Sequence, residues 1–171
     1  MLGKYIRLII ATLLVLTSVF LFIYGSIGWG VISVIVGLLF VLFHFKNENN
    51  LLAFYFIRKN KFAKAEKVLS KVKSPENMIK RQTAYYYYLL GLSQAQTQQL
   101  SLAEKSLKKA LSTGLHLKAD QAMAKLSLAG FYLSKRNKKL AKIHLMDAKK
   151  LDKQKMLTAQ IKEVENMMKR I

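Results

Sequence analysis

Few residues in this chain have the types and spacing that chemistry needs. The histidines are His44, His116 and His144. None sits in an HExxH pattern or beside paired carboxylates, the arrangements that build a zinc site or a general acid–base pair. There is no cysteine, which removes thiolate nucleophiles, cysteine-ligated metals and disulfides. No P-loop, GxGxxG or G-x-S-x-G stretch occurs. Asp120, Asp147 and Asp152 lie among lysines and read as helix-surface charges. The expectation is a protein that is not an enzyme, with no catalytic residue, cofactor or metal. Two features remain that could recognise a partner. One is the run Tyr85-Tyr86-Tyr87-Tyr88. The other is an excess of 29 Lys+Arg over 9 Asp+Glu, a formal charge of +20.

The charge is segregated along the 171 residues. From Leu8 to Phe45 there is no Lys, Arg, Asp or Glu. As one helix that stretch would run to about 57 Å at roughly 1.5 Å per residue, against a bilayer core of about 30 Å. Gly25, Gly28 and Gly30 break it. Two spans are expected, about 6–24 and 29–45, the second starting as early as Ile27, with Tyr24 and Trp29 flanking the turn at headgroup level. A cleaved signal peptide fits less well, because the apolar run is too long and no small-x-small site follows. Lys4 and Arg7 precede the first span, and Lys46, Arg58, Lys59 and Lys61 follow the second. The positive-inside rule then places both termini in the cytoplasm. The expectation is a multi-pass membrane protein, of bacterial inner-membrane type from its lysine richness, with residues 1–46 as a transmembrane hairpin anchor. His44, near the inner end of the second span with no acidic partner, reads as interfacial.

The remainder, 46–171, holds 27 basic and 9 acidic residues, a net +18, and it repeats. Leu52-Ala53, Leu90-Gly91 and Leu128-Ala129 are each 38 apart. Twelve residues after each small residue comes an alanine: Ala65, Ala103, Ala141. Leu69, Leu107 and Leu145 follow, then Val72, Ala110 and Ala148. A small residue on one helix admits a second helix closely, and the alanine is its counterpart. The leucine and small residue continue one apolar stripe at helical spacing. Each unit is then a helix pair that buries its apolar face only by stacking on the next.

The pattern resembles the tetratricopeptide repeat over about 47–153. The second unit fits best, with Tyr87, Leu90, Gly91, Ala103, Leu107 and Ala110; Gln94 departs from the aromatic position there. The third has Leu128, Ala129, Tyr132, Ala141, Leu145 and Ala148, with Lys125 in place of the first aromatic. The first has Leu52, Ala53, Phe56, Ala65 and Leu69, with Asn49 in that place. The family period is about 34 residues, so the units here carry longer connections or first helices. Expected units are 47–76, 77–115 and 116–153, closed by a capping helix over 154–171 with Met156, Ile161, Val164 and Met168 on one side. The fold class is therefore all-α: a two-helix transmembrane hairpin and a short α-solenoid.

Local signals agree. Ser74-Pro75 has the form of a cap before a helical proline. Ser101-Leu102-Ala103-Glu104 has the form of a capping box, and Gly114 of a C′ glycine, with Lys108 and Lys109 in the turns before it. The resemblance implies that Tyr87 packs between helices. Tyr85, Tyr88, Leu92 and Gln96 then face a concave surface that holds a peptide or partner helix, a use that suits the tyrosine ring. The leading expectation is a non-catalytic, membrane-anchored scaffold docking a protein partner in that groove. The alternative is an electrostatic tether of anionic lipid or nucleic acid. Lys59, Lys61, Lys64 and Lys67 lie nearest the anchor in sequence and are the expected membrane-surface contacts. Nucleic acid is the weaker of the two, since no recognition motif is present.

Overall fold

Among the described residues all regular structure is helical. The computed structural model describes residues 2–25, 27–45 and 48–170, with side chains described for 10, 12–25, 27–38 and 48–170. Helices α1 (Leu2–Ile23), α2 (Ile27–Phe45), α3 (Glu48–Arg58) and α4 (Phe62–Leu69) are followed by a 3₁₀ turn at Pro75–Asn77. Then come α5 (Lys80–Gln96), α6 (Leu100–Thr113), α7 (Lys118–Ser134), α8 (Lys138–Leu151) and α9 (Thr158–Lys169). The chain forms two compact units, Met1–Glu48 and Asn49–Ile171.

In the first unit α1 packs on α2. Gly25 makes the turn with φ +74°, a left-handed backbone that suits glycine. Small and polar residues line the helix contact. Ser18 is buried, the Ser33 hydroxyl donates to the Leu14 carbonyl at 2.9 Å, and Thr17 Oγ1 lies 3.3 Å from Ser33 Oγ. A Cβ on Gly30 would stand 3.1 Å from the Phe22 ring.

This unit corrects the membrane expectation. Among the described residues no helix is long and apolar enough to cross a membrane. Helix α1 starts at Leu2, so Lys4 and Arg7 lie inside it rather than ahead of it. Its uncharged part, Leu8–Ile23, is about 24 Å long at roughly 1.5 Å per residue, and α2, from Ile27 to Phe45, is about 28 Å. The uncharged part of α1 is thus shorter than a hydrocarbon core of about 30 Å. The transmembrane hairpin anchor, the membrane-embedded placement and the multi-pass inner-membrane localisation with both termini cytoplasmic are therefore not supported. The His44 side chain and the Lys46-Asn47 junction lie outside the described residues.

The second unit is organised by the 38-residue period. Helix α5 packs on α6, α7 on α8, and α4 on α5. Ala65, Ala103 and Ala141 are fully buried, and so are Ala53 and Ala129. Gly91 lies against Leu107: a Cβ there would stand 2.7 Å from Leu107 Cγ. Leu69, Leu107 and Leu145 fill the space behind these small residues. Leu52, expected as a packing residue, is instead 45% exposed, because α3 turns its neighbour Ala53 inward.

The period also recurs in the turns. Asn60, Gln98 and Arg136, again 38 apart, all have positive φ, at 55°, 61° and 55°. Around each, the backbone forms the same pair of bonds. Asn60 N donates to Ile57 O at 2.9 Å and Lys61 N to Phe56 O at 2.8 Å. Gln98 and Gln99 bond Ala95 O and Gln94 O in the same way, and Arg136 and Asn137 bond Leu133 O and Tyr132 O. This 5→2 and 6→1 pattern is a Schellman stop. In this unit Gly114, after α6, supplies a glycine for it, with φ 100°. A left-handed non-glycine residue costs about 1 kcal/mol or more. Gln98→Gly is therefore expected to raise stability by about 0.5–1 kcal/mol, after the extra entropy of the unfolded glycine is allowed for. A denaturant midpoint that falls instead would show that the Gln98 side chain contributes more than its backbone strain.

Helix starts differ from the sequence expectation. Helix α6 begins at Leu100 with Gln99 as N-cap, so Ser101 lies inside the helix and makes no box. Ser74-Pro75 opens the 3₁₀ turn rather than α5, and the Ser74 side chain makes no cap bond. No basic residue falls in the last turn of α6, which runs on to Thr113. At the C-terminus α9 covers α7 and α8 with Ile161 and Val164 buried and Met168 half-buried. Met156 precedes α9 and is exposed. The Asp152 carboxylate accepts from Met156 N and Leu157 N at 3.0 and 2.8 Å, shaping the turn that precedes α9.

Candidate partner-binding surface

Helices α3, α5 and α7 present equivalent positions in rows 38 residues apart. The row Asn50, Tyr88, Leu126 is buried. The next row is Phe54, Leu92, Gly130. Phe54 is exposed, Leu92 and Gly130 are half-buried, and a Cβ on Gly130 would meet nothing within 4 Å. The third row, Arg58, Gln96, Ser134, is exposed and polar. A buried row, an accessible apolar row with a gap at its glycine, and a polar rim therefore run across the three helices.

The four tyrosines divide as an α-helix requires. Tyr85 is half-buried, its ring 6.3 Å from Phe54 and 5.9 Å from Tyr88. Burial, then the Asp120 charge, pushes its hydroxyl up to about 12. Tyr88 is 6% exposed with its hydroxyl facing the Asp120 carboxylate, and burial, then that charge, pushes the hydroxyl far above the ordinary value. Asp120 itself is raised by burial, with the Tyr88 hydroxyl opposing. Tyr86 is buried and donates to Leu69 O at 3.4 Å. Tyr87 is half-buried and donates to Glu76 Oε1 at 2.7 Å, which holds that carboxyl below its ordinary value.

Of the residues expected to line a groove, Leu92 and Gln96 reach the surface. Tyr85 lies at its edge and Tyr88 beneath it, supporting the wall through Asp120. Lys59, Lys61, Lys64 and Lys67 are all exposed, and Lys59 Nζ lies 4.8 Å above the Tyr55 ring. Leu90 is half-buried, while Leu128 is fully buried.

Two sets of contacts stiffen the unit from behind, and sequence reading missed both. Gln94, the departure from the aromatic position, is buried and its Oε1 accepts from Ser106 at 2.7 Å. The residues 38 further on, Tyr132 and His144, stack in parallel with centroids 5.3 Å apart, and burial lowers the His144 pKa. The second set is a clasp between consecutive pairs. Glu66 on α4 accepts from Thr97 and Gln99 in the α5–α6 turn. Glu104 on α6, in the same register, accepts from Tyr132 at 2.9 Å and from Lys135 at 2.5 Å, and pairs with Lys108 at 2.6 Å. Those bonds hold the Glu104 carboxyl down at about 2. The signal for both sets was the shared 38-residue offset of polar partners, which an apolar pattern search passes over.

Asp147 pairs with Lys125 at 2.8 Å. His116 is exposed. Among the described residues no group of three His, Cys, Asp or Glu could hold a metal ion. Fold and surface together define an all-helical chain. No protein-family model matches it, and neither a curated protein nor a solved structure does so.

Proposed function

We propose that the chain is a non-catalytic scaffold of tetratricopeptide-like helix pairs that holds a protein partner along the Phe54–Leu92–Gly130 row. The observation that carries this reading is the open space at Gly130. Rows of equivalent residues are filled on the inner side and polar on the outer side. Of these three rows, this one combines accessible apolar atoms with room for an inserted side chain. A partner's apolar anchor set between a dry row and a polar rim has the anatomy of a protein interface.

Gly130→Leu tests it. The new side chain meets no neighbouring atom at its Cβ and improves helix propensity by roughly 0.8 kcal/mol, so the fold is expected to survive while the space is filled. The full chain carrying a C-terminal tag is purified from its native cells with nuclease treatment and a high-salt wash. A stoichiometric protein retained by the natural chain and lost with Gly130→Leu is the expected result. A partner retained equally by both would contradict docking at this row. If salt alone strips everything bound, the electrostatic tether of anionic lipid or nucleic acid replaces this reading.

A further inference from the structure

We propose that a lysine-lined cleft along α6 binds an acidic segment of a partner protein. The cleft has a volume of about 630 Å3 and is lined by Tyr87, Lys105, Lys108, Lys109 and Ser112, with Glu76 at its edge. A second depression of about 320 Å3 shares Lys105 and Lys108 and adds Ser101, Glu104 and Lys135. The surface is independent of the Phe54–Leu92–Gly130 row: it opens on α6 and on the Tyr87 side of α5.

The charges in this cleft are unevenly used. Glu104 is occupied by Lys108, Lys135 and Tyr132. Glu76 is occupied by Tyr87, whose ring lies 5.7 Å below Lys109 Nζ. Among the described residues Lys105 pairs with no carboxylate, and Lys109 bonds none directly. Both are exposed, four residues apart on one face of α6. Their spacing along the axis is about 6 Å. Alternate residues of an extended peptide are about 6–7 Å apart, so two carboxylates on alternate residues meet two ammonium groups. The tyrosine ring and serine hydroxyl supply the apolar and polar flanks of such a segment.

The glutamate in the cleft lining separates the classes of ligand. A nucleic-acid strand carries a charge at every phosphate and would be pressed against Glu76. A peptide places neutral residues there and charges only opposite the lysines.

The test is fluorescence anisotropy with the full chain and a fluorescein-labelled peptide of alternating glutamate and glycine. Lys105→Glu/Lys109→Glu is expected to weaken binding about tenfold or more. Lys153→Glu/Lys162→Glu, the same charge change at two exposed lysines elsewhere, is expected to weaken it less than about twofold. The milder Lys105→Gln/Lys109→Gln, checked for helicity by circular dichroism, gives the same ranking if the charge reversal disturbs folding. No binding by the natural chain, or equal loss in the two glutamate pairs, overturns the proposal. So does an oligothymidylate that binds more tightly than the peptide and loses affinity in the Lys105/Lys109 variant, which would make the cleft a nucleic-acid site.

Discussion

Gly91→Ala is expected to lower stability by about 2 kcal/mol, and Leu107→Ala by about 3 kcal/mol. The two arise from one contact. A Cβ at position 91 would stand 2.7 Å from Leu107 Cγ, 2.8 Å from Cδ2 and 3.1 Å from the Leu107 backbone nitrogen. The leucine tip is fully buried and has little room to move, and the backbone atom belongs to α6 itself. Relief therefore requires α5 and α6 to part. The ordinary gain of alanine over glycine in a helix, about 1 kcal/mol, is outweighed. Truncating Leu107 leaves a cavity in the same place. In the double variant the new methyl enters that cavity, so its cost is expected to be smaller than the sum of the singles by about 1 kcal/mol or more. Urea midpoints of the natural chain, both singles and the double measure this directly. Strict additivity would mean that Gly91 is not the point of closest approach between the helices.

Glu104→Gln is expected to cost about 1–2 kcal/mol at neutral pH and almost nothing in strong acid. The carboxyl is held at about 2 against an ordinary 4.5, chiefly by its bonds from Lys108 and Lys135. The glutamate side chain is 13% exposed, but its lysine partners are about half exposed, and solvent screening reduces the pairs accordingly. A carboxyl depressed in the folded state stabilises the fold fully above its unfolded pKa. That contribution is lost as pH falls from about 4.5 through about 2. The difference in unfolding midpoint between the natural chain and Glu104→Gln should therefore be constant above pH 5 and shrink steadily below it. A difference that persists unchanged in acid would mean that glutamine loses packing, not charge.

The parts of this architecture legible from the residues are those set by size and apolarity. Alanine at 65, 103 and 141 and leucine at 69, 107 and 145 can serve only as close-packed helix contacts when repeated at one interval, and all of them are buried. The turns were less legible. Their left-handed residues are Asn60, Gln98 and Arg136, and of these only asparagine announces itself, because backbone bonds from the helix end rather than glycine hold the conformation. Asp120, among lysines, reads from the sequence as a surface charge. Its role depends on Tyr88, which is distant in sequence and brought near only by packing of α5 on α7. The apolar N-terminal segment showed where its helices divide but not where the first begins. Lys4 and Arg7 read equally well as a flank or as the first turns of α1, and the helix includes them. Placing the tyrosines on one concave wall overlooked the depth of that wall, since Tyr88 lies under the surface that Leu92 and Gln96 reach.

The scaffold reading meets its most direct test in site-specific photocrosslinking in the native cell. A benzophenone side chain is placed at Gln96, on the exposed rim of the open row, and for comparison at Lys162, on the outer side of α9. One discrete adduct is expected from position 96, absent from position 162 and abolished when Gly130→Leu is added. The same adduct from both positions, or one at 96 that survives filling of the row, would contradict it.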